Sequence, residues 1–259
     1  GIAAFSGFIG SWVLELDINN YHWLFTFLGF CAIAKAVAIF LMPSDPILDT
    51  PHVNPFGNMK YVVQDKSFGY VLLTWFIMGF ANLWTLPLRV DYVTAPEWGI
   101  EGSAIFVAMI ITIIPETMRM ILIPYWASLF DRMNFVVLRM ILNLFFGLGV
   151  LLFFVTSNPL VIGLGSALIG AAFAGGSIAW NLWVTKYAPP GKAGAYMSVH
   201  VSLTGIRGTI GPMLGYWTVG IIGAQNIGIL SCAMMFFATL MLIPEIKHGR
   251  ETNLKGKSL

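Results

Sequence analysis

MILNLFFGLGVLLFFVTSNPLVIGLGSALIGAAFAGGSIAWNLWVT, residues 140–185, contains no Asp, Glu, Lys or Arg. Its one run of turn formers is Thr156-Ser157-Asn158-Pro159. A helix that crosses a bilayer needs about 20 predominantly apolar residues. The stretch therefore reads as two spans, 135–156 and 159–185, joined by the link 157–158. Outward from this pair the pattern recurs, with further spans at 1–14, 22–42, 68–88, 103–129, 195–222 and 226–243. The predicted fold class is all-α, a polytopic membrane helix bundle of eight spans.

Composition agrees. The chain is 58% hydrophobic and 10% charged, against about 25% charged residues in a soluble domain. No signal-peptide pattern precedes the first span. Gly1 already lies in apolar sequence, so the reading expects further helices of the same chain before it. Cys31 and Cys232 both fall in spans and read as small buried apolar residues. The histidines, His22, His52, His200 and His248, have no metal-ligand spacing. No G-x-x-x-x-G-K-[ST] loop is present, so no nucleotide or other cofactor is expected. Nothing points to nucleic acid.

Alternate connectors differ in basic residues. Connectors 43–67, 130–139, 186–194 and 244–259 carry Lys60, Lys66, Arg132, Arg139, Lys186, Lys192, Lys247, Arg250, Lys255 and Lys257. Connectors 15–21, 89–102, 157–158 and 223–225 carry only Arg89, with Glu15, Asp17, Asp91, Glu97 and Glu101. The positive-inside rule predicts that the first set and the C-terminus are cytoplasmic. Trp23, Tyr92, Trp98 and Trp217 fall near the outer boundaries, where interfacial aromatics gather. The connector 43–67 has four prolines and reads as a loop with one amphipathic turn.

Three features resemble the major facilitator superfamily. Ala127-Ser128-Leu129-Phe130-Asp131-Arg132-Met133-Asn134 is similar to the family's G-x-L-a-D-R-x-G loop, with Ala127 and Asn134 at the glycine positions. The proline-rich connector falls where the family's central loop joins its halves. Gly205, Gly208, Gly211-Pro212 and Gly215 mark a glycine-rich helix second from the end. A short internal echo, Ser6-Gly7-Phe8-Ile9-Gly10-Ser11 against Arg207-Gly208-Thr209-Ile210-Gly211-Pro212, fits a six-span period. The resemblance implies helices five to twelve of twelve: 1–42 ending the first half, 43–67 the cytoplasmic central loop, 68–244 the six-helix second half and 245–259 a cytoplasmic tail. It implies a secondary transporter in a bacterial inner membrane. It would move a small polar or anionic solute by alternating access, with protons as the expected coupling ion.

Four charges fall well inside spans, away from their ends: Lys35, Glu116, Arg119 and Arg207. A charge at bilayer depth costs roughly 2.5–3.5 kcal/mol on insertion scales and usually faces protein or a water-filled cavity. Glu116 and Arg119 are three residues apart, close enough to pair on one helical face, and Pro115 beside them removes a backbone hydrogen bond. They read as a proton- or substrate-linked pair, or as a self-neutralising structural pair. Arg207 reads as an anchor for an anion, or as a donor to carbonyls of a neighbouring helix. His200 lies two turns before Arg207 and reads as a proton relay or a packing residue. Asn181 with Trp180, and Asn82 with Trp84, read as pathway lining or as interfacial aromatic clusters. Lys35 reads as a snorkelling residue. Asp131 and Arg132 read as a cytoplasmic gate, or as a capped loop.

Two other function classes remain open at this stage. A membrane-embedded enzyme would need clustered His, Asp or Glu near one interface, and the scattered acids and histidines argue against it. A non-transporting assembly factor or sensor on the same fold is the other, since fold does not fix function.

Overall fold

The computed structural model describes residues 2–43, 57–98 and 100–247. Residues 44–56 of the proline-rich connector, with His52, and 248–259 of the tail, with His248, lie outside the described residues, as does the Trp98 side chain. The described residues form α1 (Ile2–Leu16), α2 (Tyr21–Phe40), α3 (Lys60–Gln64), α4 (Lys66–Thr85), α5 (Leu88–Thr94), α6 (Ala104–Ala108), α7 (Ile114–Arg132), α8 (Phe135–Phe154), α9 (Pro159–Leu182), α10 (Val184–Tyr187), α11 (Ala193–Ile222) and α12 (Ala224–Met241). One π-helical turn, Met109–Ile113, joins α6 to α7. The protein is an all-helical bundle, as its sequence predicts.

Six helical stretches are long and apolar enough to cross a membrane: 18–40, 66–94, 104–132, 135–154, 159–182 and 224–245. Of the other two expected spans, α1 has 15 residues. α11 has 30, about 45 Å of helix, but His200, Arg207 and its glycines dilute its apolar character.

Helix starts follow local chemistry. The side chains of Asp65, Asn134 and Asn158 accept from the backbone N–H groups of Phe68, Val136 and Leu160, capping α4, α8 and α9. The expected turn in the long connector is α3, preceded by a 3-10 turn at Gly57–Met59.

Packing runs in two layers of contact. α8 packs on α9 and α12, α9 on α7, and α4 on both α11 and α12. Glycines set the closest approaches. A methyl group at Gly165 would lie 2.8 Å from the Gly149 carbonyl oxygen, and one at Gly149 would lie 2.9 Å from that of Gly165. This mutual contact lets α8 and α9 touch backbone to backbone, as small residues do in membrane bundles. Gly170 admits the Pro115 carbonyl of α7 in the same way.

The basic connectors gather at one end. There Tyr196 Oη donates to Asp65 Oδ2 at 3.1 Å, Ser67 Oγ to Glu245 Oε2 at 2.7 Å, Asn58 Nδ2 to Ser198 Oγ at 3.0 Å and Asn134 Nδ2 to the Ile246 carbonyl at 2.8 Å. Burial, with the charges of Glu245 and Asp65, holds the Tyr187 phenol well above its usual range. At the opposite end Tyr92 Oη donates to the carbonyls of Phe154 and Thr156 at 2.9 and 3.0 Å.

Some local expectations need correction. Tyr92 is fully buried and ties two connectors together, so it is not an interfacial aromatic. Trp23 and Trp217 are exposed, 66% and 68%. Cys31 is exposed on α2 while Cys232 is buried, because no other helix packs along α2 among the described residues. Lys35 is exposed on the same helix.

Gly165→Leu is expected to lower stability by about 1–3 kcal/mol, the usual effect of overpacking a tight interface. Gly205, with nothing within 4 Å of an added methyl, should accept leucine without effect. Thermal melting of the two variants in detergent checks the contrast.

Candidate functional site

Five helices enclose a cavity of about 280 Å3. α4 contributes Trp75, Met78, Gly79 and Asn82, at the 0, 3, 4, 7 spacing of one helical face. α9 contributes Phe173, Gly176, Ser177 and Trp180 at the same spacing. α11 supplies Thr204 and Arg207, α8 supplies Arg139 and Phe146, and α7 supplies Arg119.

Three arginines therefore face one apolar cavity. Arg139 is 3% exposed and Arg207 is 6% exposed. The Arg139 guanidinium lies over the Trp75 ring, 3.5 Å from its centroid, and donates from Nη2 to Met78 Sδ at 3.0 Å. The Arg207 guanidinium lies 5.6 Å from the centre of the Trp180 ring. Its Nη1 donates to the Trp75 carbonyl, and its Nε has no hydrogen-bond partner among the described residues. Gly79 makes this position possible, because a side chain there would collide with the guanidinium. Neither arginine has a carboxylate within ion-pair distance among the described residues. Arg119 does: its Nη1 lies 3.4 Å from Glu116 Oε1.

A second cavity, about 130 Å3, adjoins the first. Arg89, Glu116, Ser166 and Phe173 line it, and Phe173 belongs to both walls. Two polar pairs bridge the cavities. Glu116 pairs with Arg119, and Arg89 Nη2 donates to Asn82 Oδ1 at 2.7 Å. The π turn contributes Ile110 and Ile111 beside Pro115. Such turns relieve a break in the hydrogen-bond ladder and recur at functional sites.

Of the residues singled out from sequence, Arg207, Arg119, Asn82 and Trp180 line the larger cavity and Glu116 the smaller. His200 lies behind the wall, 1% exposed. Its ring sits 4.1, 5.2 and 5.4 Å from those of Trp180, Trp183 and Trp75. Trp84 turns away and donates to Thr218 Oγ1 at 2.9 Å. Asn181 is exposed and donates to the Ser177 carbonyl. Asp131 and Arg132 are exposed at the end of α7.

Arg139 and Arg89 are corrections. Sequence assigned both to connectors, yet both are buried, 3% and 6% exposed. Arg139 sits in the second turn of α8 and points into the bundle. Arg89 belongs to α5, which resumes directly after Pro87. The signals were present: Arg139 precedes the buried Asn143 by four residues, and Arg89 follows Asn82 by seven, each on a shared helical face. Without these two arginines the positive-inside contrast in the sequence is nine basic residues against none.

The profile of the Major Facilitator Superfamily matches residues 1–212 and 103–258, together the length of the chain but for its last residue. The chain belongs to the Major Facilitator Superfamily. It is an integral membrane protein of a transporter family. No curated protein and no solved structure matches it.

The arginine-lined cavity should select reagents by charge. With Cys31 and Cys232 replaced by serine and alanine, Ser177→Cys is expected to react roughly tenfold or more faster with an anionic than with a cationic methanethiosulfonate, since a charged cleft concentrates counter-ions. Arg207→Gln should shrink that ratio. Equal rates for both reagents would contradict the cationic character of the cavity.

Proposed function

We propose that the protein carries a small anionic solute across the membrane by secondary active transport. One observation supports this most: Arg139 and Arg207 are buried in a cavity wall without a carboxylate partner. A guanidinium grips carboxylate or phosphate through paired in-plane N–H donors. Here tryptophan faces and the Trp75 carbonyl position the guanidinium groups, and the cavity is open to a ligand's remaining bonds. Asn82, Ser177 and Thr204 add neutral hydrogen-bonding groups, and Phe146 and Phe173 add apolar wall.

The remaining assignments are part of the same reading. Residues 1–42 end a first half, 43–67 are the central loop, 68–244 form the second half and 245–259 the tail. The basic connectors and the C-terminus face the cytoplasm of a bacterial inner membrane. Alternating access exposes the cavity to each side in turn as one half rocks on the other. Asp131 and Arg132 act at the cytoplasmic gate.

Protons are the coupling ion in this reading, and Glu116 is their site. When ionised, Glu116 holds Arg119. A proton on Glu116 removes that attraction and leaves Arg119 to the anion, so proton and anion favour each other's binding. Glu116→Gln is then expected to make uptake of a small-anion panel into proteoliposomes indifferent to an imposed pH gradient. Coupling that survives the change would remove Glu116 from this role. Arg207→Ala should lower affinity for the transported anion at least tenfold, about 1.4 kcal/mol. Net flux also separates this reading from a sensor or assembly factor, which would bind the anion without moving it.

A further inference from the structure

We infer that the solute carries two negative charges close together, as a phosphate monoester or a dicarboxylate does. This rests on the anion-transport reading above and sharpens it by charge balance. The larger cavity has Arg119, Arg139 and Arg207 in its wall and no Asp or Glu. When ionised, Glu116, in the adjoining cavity, neutralises Arg119 at 3.4 Å; when protonated, it leaves Arg119 as a further positive charge beside the other two. Two guanidinium charges, Arg139 and Arg207, remain unbalanced among the described residues.

Those two charges are not redundant. Both are buried, and both contact the same residue of α4: Arg139 stacks on the Trp75 ring and Arg207 donates to the Trp75 carbonyl. Two cations held this near each other in a medium of low polarity repel strongly. A single negative charge would relieve one of them. A dianion lying between them satisfies both, and its desolvation is offset by two charge-assisted, bidentate contacts. A neutral solute would leave both charges uncompensated. Arg139 is fixed by its face on Trp75 and by Nη2 on Met78 Sδ, and Arg207 by Nη1 on the Trp75 carbonyl, so the remaining N–H donors of each are left for the ligand.

The flat apolar surfaces of Phe146, Phe173 and Trp180 border the same space. Four probes of one size and one aromatic body therefore test the charge requirement directly: phenyl phosphate, phthalate, benzoate and benzyl alcohol. Their binding to the purified protein in detergent is read by quenching of tryptophan fluorescence, for which Trp75 and Trp180 lie in the wall. At pH 7.5 at least one of the two dianions is expected to bind about tenfold or more tightly than benzoate, and benzyl alcohol weakest. The tighter of the two dianions tells phosphate from dicarboxylate.

Arg139→Gln should bring the dianion and benzoate close to equal affinity, whereas Arg139→Lys should keep the preference. A measurement on the unaltered protein stands beside these variants. The second ionisation of a phosphate ester has a pKa of about 6, so phenyl phosphate becomes a monoanion as pH falls to 5. If it is the bound dianion, the ratio of its affinity to that of benzoate, measured at the same pH, should fall towards one over that range. Benzoate binding as tightly as both dianions would overturn this inference and leave the anion-transport reading standing. Anions binding no better than benzyl alcohol would overturn both.

Discussion

The structure depends on holding guanidinium charge inside an apolar bundle. An arginine at bilayer depth is costly unless protein or water receives it. Here α4 receives two of them. Trp75 offers its ring to Arg139 and its carbonyl to Arg207, and Gly79 leaves the space that the Arg207 side chain fills. One residue of one helix thus orients charges from α8 and α11. Around Trp75 stand Trp180, Trp183 and His200, ring against ring. This aromatic wall makes the position of α4 specific.

Around that constraint the rest of the bundle has a consistent logic. α4 is the helix that touches both α11 and α12, and Asp65 caps its start while bonding the α11 residue Tyr196. Gly211 and Gly215 bring α11 against Leu83 and Trp84, on the face that carries Arg207 a turn earlier. α7 differs from its neighbours. It begins with a π turn and Pro115, touches α9 through Gly170, and carries the ion pair that links the two cavities. The helix with the least regular backbone is therefore the one that bears the Glu116–Arg119 ion pair. Irregular backbone within a membrane is tolerated where it borders protein or a cavity, and this segment borders both.

Much of the fold was legible in the sequence because span length and loop charge are set by the bilayer and not by tertiary detail. The boundaries of α8, α9 and α11 fall within three residues of the apolar stretches that predict them. The two halves of the site were unequally legible. Arg207 stands alone in apolar sequence and Arg119 has only Glu116 near it, so their cost is visible without coordinates. Arg139 and Arg89 stand near span ends, where an arginine can equally reach solvent along its own stem. Only the contacts of Arg139 with Trp75 and Met78 of α4, and the resumption of helix after Pro87, turn them inward. Trp84 and Asn181 show the converse. Each is one residue from a cavity-lining position, and one residue is 100° of helical rotation. His200 was visible as an unusual residue, but its enclosure by Trp75 of α4, Trp180 of α9 and Trp183 just after α9 is a property of the assembled bundle.

The space between Arg139 and Arg207 is where we propose that the anion sits. An experimental structure of the protein with tungstate, a dianion dense enough to locate by anomalous scattering, tests it most directly. Anomalous density is expected between the Arg139 and Arg207 guanidinium groups, within hydrogen-bond distance of both. Density confined to other parts of the molecule, with both arginines engaged by carboxylates, would contradict it.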